Sequence, residues 1–170
     1  LLVGVKDNGN IAGVRSEEDV YMIEQAAEMH CVPPQEIRVT PFKVEGGLMV
    51  VRVEIEPSKL RPVCVREADG QLKAYYRVRD ENILATPLMV RAWRRASSDD
   101  TLPALSLDAN ARIMLAMAAR PGGADIEEAM VGAHLSRAMA EELAVTLHAM
   151  GLLDFRYIDG RFKLIATDFG

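Results

Sequence analysis

The prevailing spacing of apolar residues changes between Ala96 and Pro103, and this change constrains the fold most strongly. Before it, short alternating runs separated by Gly, Asn and Asp predict strands and tight turns. After it, apolar residues recur with helical spacing as far as Met150. The polar segment between them ends at a proline, which is typical of a linker. We therefore predict an α+β protein with domains at residues 1–96 and 107–170 and a linker at 97–106.

The first domain is predicted to contain two helices and three β-hairpins. Ser16 is a suitable N-cap for the first helix, and Thr86-Pro87 is a typical start for the second. Gly-containing turn sequences favour tight connections between the strands of each hairpin. The predicted hairpins join residues 1–5 to 11–14, 37–44 to 48–55, and 62–67 to 72–79.

The second domain is predicted to contain three helices followed by one hairpin. The helices cover residues 108–119, 125–131 and 136–150, and Gly151 ends the third helix as a C-cap does. Strands 152–157 and 161–165 then form a hairpin, with Asp159-Gly160 as its turn sequence.

The first half resembles the Schlafen-type AlbA-like domain. The matching features are a strand ending in Gly4-Val5, the turn with Asp7, the Ile-x-Gly-Val run at 11–14, and the Tyr-Tyr-Arg segment within residues 74–85. Many bacterial proteins with this domain are classed as transcriptional regulators or ATP-binding proteins. The sequence contains no Gly-rich phosphate-binding loop to support nucleotide binding independently.

Residues 107–167 resemble a winged helix-turn-helix domain. The matching features are Leu135-Ser136 at the start of the third helix and Gly151-Leu152-Leu153 before the hairpin. Together, the two resemblances imply a DNA-binding transcriptional regulator that acts as a homo-oligomer. Cys31 and Cys64 form neither a disulfide framework nor a CxxC metal pattern, which favours reduced thiols in a cytoplasmic protein. They also leave room for a nucleotide or small-molecule effector. No apolar run is long enough to predict a membrane span.

The charge distribution argues against strong non-specific DNA binding. Residues 1–96 contain 14 Lys/Arg and 14 Asp/Glu, whereas residues 97–170 contain 6 Lys/Arg and 11 Asp/Glu. The second half therefore contributes the whole net charge of −5. Because neutralisation of phosphates supplies most non-specific affinity, an acidic domain is a poor general DNA binder.

One candidate nucleic-acid surface lies on the third predicted hairpin. A two-residue Asp-Gly turn places Arg66 directly opposite Lys73. Tyr75, Arg77 and Arg79 then follow Lys73 on the same strand face. A basic face that includes an aromatic ring can bind phosphate or stack on bases. The alternative is an ordinary solvent-exposed face balanced by nearby carboxylates.

A second candidate surface lies in the predicted winged helix. Arg137 occupies the start of the third helix, where such domains contact bases. Arg156, Arg161 and Lys163 lie on the hairpin, where they can contact the DNA backbone. Glu141 and Glu142 follow Arg137 and oppose DNA binding, so a role in dimerisation or protein contacts remains open.

Asp7 is the one candidate catalytic residue that the resemblance implies, because Schlafen-type nucleases hold a divalent metal with three acidic residues. Lys6 precedes it where the family often has a second acid, and an ammonium group disfavours Mg²⁺ or Mn²⁺. Asp7 is also suited to a purely structural turn.

The sequence begins inside an apolar run, so we expect a preceding segment in the natural protein. We therefore expect no catalytic activity and no cofactor, with nuclease activity or a ligand-sensing scaffold as alternatives.

Limited proteolysis tests the predicted domain division. We expect the first cleavage within residues 97–103, because exposed polar linkers are the preferred sites of proteolytic cutting. Two stable fragments identified by mass spectrometry would agree with this expectation. Earlier cleavage within residues 48–79 would contradict it.

Overall fold

The computed structural model describes residues 1–14, 16–98 and 107–167. Within these residues the chain is a mixed α+β structure with small sheets and five α-helices. It forms two compact units, the first from residues 1–59 and 63–73 and the second from 60–62 and 74–170. Residues 99–106 of the predicted linker lie outside the described residues, so independent folding of the two predicted domains remains a prediction. None of the helices in the described ranges has the length and hydrophobicity of a membrane span.

The first unit contains one α-helix and two three-stranded sheets. The sheets have the strand orders β1-β4-β3 and β2-β5-β6, and all of their pairings are antiparallel. Helix α1 continues into a π-helical turn at Ala26–His30. The elements are β1 (Leu2–Val3), α1 (Glu17–Gln25), β2 (Cys31–Val32), β3 (Ile37–Lys43), β4 (Met49–Ile55), β5 (Cys64–Arg66) and β6 (Leu72–Lys73).

The first predicted hairpin is confirmed at its turn but not along its strands. The Lys6 N–H donates to the Asn10 carbonyl (2.9 Å), and Gly9 adopts a φ of 82°. Beyond this turn, the pairing is short: one bridge joins Val5 to Ile11, and the N–H groups of Ala12 and Gly13 donate to the Gly4 carbonyl (2.8 and 2.9 Å). Strand β1 pairs with β4 instead, which places Leu2 opposite Arg52. The apolar spacing predicted a strand but could not identify its partner.

The second predicted hairpin is confirmed. Strands β3 and β4 pair from Lys43↔Met49 to Ile37↔Ile55, and Glu45–Gly47 forms the connection. The centre of β4 is the core of this unit, because Val50, Val51 and Val53 are each only 1% exposed.

The third predicted hairpin has a different register from the expected one. Arg66 pairs with Leu72, so it does not lie opposite Lys73. The Glu67 N–H donates to the Gln71 carbonyl (2.9 Å), so the strand pairing continues to these two residues. The loop between them therefore has three residues, 68–70. A three-residue loop with glycine in the left-handed region suits this sequence, and Gly70 has a φ of 81°. A shift of one residue moves every following side chain to the opposite face.

The described part of the second unit contains four α-helices and two hairpins. The hairpins are β7–β8 and β9–β10, both antiparallel. The described elements are β7 (Tyr75–Val78), β8 (Glu81–Leu84), α2 (Pro87–Ala96), α3 (Ala109–Ala118), α4 (Ile126–Gly132), α5 (Arg137–Ala149), β9 (Leu153–Ile158) and β10 (Arg161–Ala166).

Side-chain caps fix the starts of the helices in this unit. Thr86 and Ser136 accept hydrogen bonds from the N–H groups of residues three positions ahead, as predicted (3.3 and 3.4 Å). Asp125 forms a capping box with Glu128, in which each side chain accepts from the other's backbone N–H (2.8 Å). Ser16 differs, because it occupies the N-cap position of α1 without a side-chain cap bond.

Small and flexible side chains fill the core of the second unit. Met89, Met114 and Leu147 are fully buried, together with alanines at 92, 111, 140 and 144. Alanine allows helix backbones to approach closely, and methionine fills the remaining irregular space. Helix α2 packs on α5, so residues 87–96 belong to this unit although the sequence analysis assigned them to the first domain.

Aromatic side chains connect α2 to both hairpins of the second unit. Tyr76 stacks nearly parallel to Trp93, with ring centroids 6.5 Å apart. The rings of Tyr76 and Phe162 are perpendicular, with centroids 5.8 Å apart, and the centroids of Phe162 and Tyr157 are 5.1 Å apart. These contacts hold β7 against α2 and against the C-terminal hairpin.

A backbone bridge joins the segment before α4 to the C-terminal hairpin. Ala124 and Leu164 exchange two hydrogen bonds, of 3.1 and 2.7 Å. Gly123 lies directly against this bridge, where a Cβ atom would overlap the Leu164 carbonyl oxygen and the Ile165 side chain. The close approach therefore requires glycine at this position.

Substitution of Gly123 tests this close approach. Gly122 is a matched control, because it also has a positive φ (80° against 68°) but has open space around its Cβ position. Backbone strain costs either alanine variant about 1–2 kcal/mol. We expect Gly123→Ala to lower the free energy of unfolding by about 1–3 kcal/mol more than Gly122→Ala, because of the added steric overlap. Urea denaturation of both variants measures the difference, and equal losses would contradict the packing described here.

Candidate nucleic-acid interface

The predicted nucleic-acid-binding residues are divided between the two units. Arg66 and Lys73 belong to the first unit, and the other six belong to the second. The expected single basic face does not form, because the strand pairing of β5–β6 ends at Lys73 and β7 belongs to a different sheet. The six residues in the second unit are Arg77, Arg79, Arg137, Arg156, Arg161 and Lys163.

The two basic residues of the first unit have different surroundings. Arg66 is exposed at the end of β5. Lys73 lies 3.8 Å from the Glu67 carboxylate and is only partly exposed. The predicted arrangement of these two cations directly opposite each other is wrong because of the one-residue register shift. Their proposed role in nucleic-acid binding remains a prediction.

Arg77 and Arg79 lie on the β7–β8 hairpin. Arg77 donates a hydrogen bond to the Asn82 side chain on the opposite strand (2.9 Å). Arg79 is in the turn and has a φ of 52°. Both side chains are exposed, but the turn geometry means that they do not continue one regular strand face.

Arg137 is the first residue of α5 and contacts two carboxylates. Its Nε donates to Glu141 and its Nη1 donates to Glu127, each at 3.0 Å. The hydrogen bond with Glu127, followed by that with Glu141, raises the pKa of Arg137 above its usual value. Arg137 therefore carries a full positive charge that is already partly balanced within the second unit.

Arg91 on α2 also contacts this acidic group, although sequence analysis did not select it. Its guanidinium donates to Glu141 (3.1 Å) and Glu142 (2.8 Å) on α5. Glu141 therefore binds two arginines from different helices. Helix α2 contains three arginines, at 91, 94 and 95, and no acidic residue. This Arg-x-x-Arg-Arg pattern is the sequence signal that could have identified α2 as a basic surface.

Two of the three predicted basic residues on the C-terminal hairpin contact acids at the start of α4. Lys163 lies 3.3 Å from Asp125 and 3.4 Å from Glu128. Arg161 lies 3.7 Å from Asp125, beyond hydrogen-bonding distance. Arg156 pairs with Lys163 across the strands, is exposed, and has no ion-pair partner within the described part of the chain. It is thus the most available cation of this hairpin.

Asp7 lies in the first turn and is exposed. The turn hydrogen bonds around it agree with the structural alternative for this residue. Across residues 1–14, 16–98 and 107–167, no three His, Cys, Asp or Glu side chains are grouped so that they could hold a metal ion. A catalytic role for Asp7 remains a prediction.

Comparison with known proteins identifies a family for the first part of the chain. The model of the family described as Schlafen, AlbA_2 matches residues 1–86. No curated protein and no solved structure matches the chain significantly. The family match ends one residue before α2 begins and leaves the three helices and hairpin of residues 107–167 to be interpreted from their geometry.

The charge of Asp125 gives a prediction about stability and pH. The Glu128 N–H hydrogen bond and the nearby Lys163 and Arg161 lower the pKa of Asp125 below its ordinary 3.8, despite partial burial. A lowered pKa in the folded state contributes stability above the unfolded-state pKa, and this contribution is lost as the pH falls through the folded value. We expect Asp125→Asn to cost about 0.5–1 kcal/mol at neutral pH, because asparagine caps without the charge.

Chemical denaturation at several pH values measures this effect. The difference between the wild type and Asp125→Asn should shrink steadily below about pH 4, where the carboxyl group begins to take up a proton. Asp108→Asn is the matched control, since Asp108 caps α3 (2.8 Å to the Ala111 N–H) but has no Lys or Arg contact among the described residues. If the difference in free energy of unfolding between the wild type and Asp125→Asn did not change with pH, the ion pairs of Asp125 with Lys163 and Arg161 would be contradicted.

Proposed function

Because the chain belongs to the Schlafen, AlbA_2 family through residues 1–86, we propose that it is a DNA-binding transcriptional regulator with a C-terminal winged helix. The family domain is consistent with a nucleic-acid or nucleotide-binding role. The proposal assigns sequence reading to the second unit, where Arg137 at the start of α5 and the cations of the C-terminal hairpin belong to the same compact unit. We further propose that the protein is cytoplasmic and acts as a homo-oligomer, since paired copies can read paired half-sites.

The backbone bridge between Ala124 and Leu164 is the observation that carries the proposal. It adds a third segment to the β9–β10 hairpin and ties this hairpin to the helix pair α4–α5. The three helices, the connecting bridge and the hairpin follow the order that a winged helix requires. In such a domain, the start of α5 reads bases and the hairpin contacts phosphates.

The available charges determine how this surface would bind DNA. Arg156 has no ion-pair partner in the described part of the chain and would contact phosphate directly. Arg137 would have to exchange its contacts with Glu127 and Glu141 for contacts with a base or phosphate. Its side chain is 61% exposed, and ion pairs at exposed positions contribute little to stability. Loss of the Arg137 ion pairs on DNA binding should therefore lower the stability of the fold only slightly.

A second candidate function is a protein-contact or dimerisation domain. The observation that favours it is the pairing of Arg91, Arg137 and Lys163 with carboxylates of the same unit. A surface whose cations are already balanced attracts DNA only weakly. Such a surface is compatible with a neutral protein partner, and the fold alone does not decide between these functions.

A salt titration of DNA binding tests the proposed function. Fluorescence anisotropy with duplex DNA should show affinity that falls as salt rises from about 50 to 200 mM, because bound phosphates release counterions. We expect Arg156→Gln to reduce the slope of log affinity against log salt by about one, since one phosphate contact is lost. Arg137→Gln should instead reduce the preference for one sequence over another.

Arg120→Gln is the control for this experiment, because Arg120 is an exposed arginine after α3 and lies outside the proposed DNA surface. It removes the same charge and should leave the salt slope unchanged. If the intact protein binds duplex DNA no more tightly than about 10⁻⁴ M at physiological salt, the regulator proposal fails. The protein-contact function would then be the better account of the second unit.

A further inference from the structure

We propose that a cleft inside the second unit binds a small organic anion with a flat apolar body, as an effector of the proposed regulator. The cleft is bounded by the first turn of α2, the starts of α4 and α5, and the β9–β10 hairpin. Its volume is about 530 Å³. Binding sites for small molecules commonly have volumes of about 300–1,000 Å³, so the cleft is large enough for such a ligand.

The walls of the cleft explain the flat apolar body of the ligand. Phe155 and Leu164 are each 2% exposed and line it from the core. Tyr157 and Phe162 are partly exposed, and their rings meet at 65° with centroids 5.1 Å apart. Leu88 provides an apolar surface from α2. Aromatic walls favour a ring system, because stacked and edge-to-face contacts add to the burial of apolar area.

The charged residues that line the cleft are the reason for proposing a negatively charged ligand. Three guanidinium groups line it, and they face two carboxylates, those of Glu127 and Glu141. Two more carboxylates, those of Glu142 and Asp125, lie beside Arg91 and Arg161 from outside the lining, so the anion preference depends on guanidinium donors that these carboxylates do not use. The three guanidinium groups belong to Arg91, Arg137 and Arg161.

Arg161 is the arginine with the most hydrogen-bonding capacity left for a ligand. Its nearest described carboxylate, that of Asp125, is 3.7 Å away, and its side chain is 71% exposed. Arg91 and Arg137 each already donate to two carboxylates. A guanidinium has five N–H donors and binds carboxylate, phosphate or sulfonate groups in a bidentate manner. We therefore assign Arg161 as the principal anion contact.

Arg137 links this cleft to the proposed DNA surface. It lines the cleft and is also the residue that would read DNA at the start of α5. An anion bound at Arg137 would compete with DNA for its remaining donors. The inference of regulation therefore rests on the proposed function, whereas ligand binding in the cleft does not.

Isothermal titration calorimetry with naphthoate tests the cleft in the absence of DNA. Naphthoate combines a carboxylate with a flat apolar ring system, and naphthamide is the neutral probe of nearly the same shape. We expect naphthoate to bind and naphthamide to bind at least about tenfold more weakly, because it lacks the charge-assisted hydrogen bonds. Equal affinity for the two probes would overturn the proposal of an anion site.

A pair of arginine variants locates the binding site. Arg161→Gln should weaken naphthoate binding by about tenfold, because a charge-assisted contact is lost. Arg120→Gln removes the same charge outside the cleft and should leave the affinity unchanged. Because Arg161 is exposed, its replacement should preserve the fold, which thermal denaturation verifies. Absence of naphthoate binding to the wild type, or equal weakening by both variants, would overturn the proposal.

The DNA experiment separates this inference from the proposed function. Saturating naphthoate should lower the affinity of the wild type for a preferred DNA sequence. The loss of affinity should be smaller in the Arg137→Gln variant, in which only the contact at Arg161 is left for naphthoate to compete with. If naphthoate binds as predicted but the protein does not bind DNA, the proposed anion site in the cleft is supported and its proposed role in regulating DNA binding fails. If DNA binds but naphthoate does not, the cleft proposal fails and the regulator proposal stands.

Discussion

The contact of Tyr76 with Trp93 and Phe162 is the interaction on which the organisation of the second unit depends. It joins the β7–β8 hairpin, helix α2 and the C-terminal hairpin, with ring centroids 6.5 and 5.8 Å apart. Each aromatic pair contributes about 0.5–1.5 kcal/mol beyond its buried area. The closing hairpin of the family domain is therefore packed with the C-terminal helices, and a boundary in sequence patterning does not coincide with the boundary in packing.

Local features of the fold could be predicted, because their causes lie within a few residues. Thr86 and Ser136 begin helices, and Asp159-Gly160 forms the turn of the C-terminal hairpin, as predicted. The Asp69-Gly70 sequence was misinterpreted, because the same residues also suit the three-residue loop that forms. The choice between these loops depends on tertiary packing, in which Cys64 is buried and Val65 is exposed.

The candidate surfaces could be predicted less completely, because charge pairing depends on tertiary contacts. The pair Arg137–Glu141 follows helical spacing and is visible in the sequence. The partners Glu127 of Arg137 and Glu141 of Arg91 are separated from them by 10 and 50 positions, and only folding brings them together. A count of basic residues therefore overestimates the positive charge that is free to bind a ligand. It also overlooks α2, which has three arginines and no acidic residue.

Glu141 forms ion pairs with arginines from two different helices of the second unit. Its side chain is only 23% exposed and holds Arg91 with one oxygen and Arg137 with the other. A carboxylate shared in this way aligns the arginine of α2 with the first residue of α5, so it fixes the position of the Arg137 side chain beside the cleft. An anion that approaches either arginine must compete with Glu141. By accepting hydrogen bonds from both arginines, Glu141 reduces the positive charge that they offer to a phosphate.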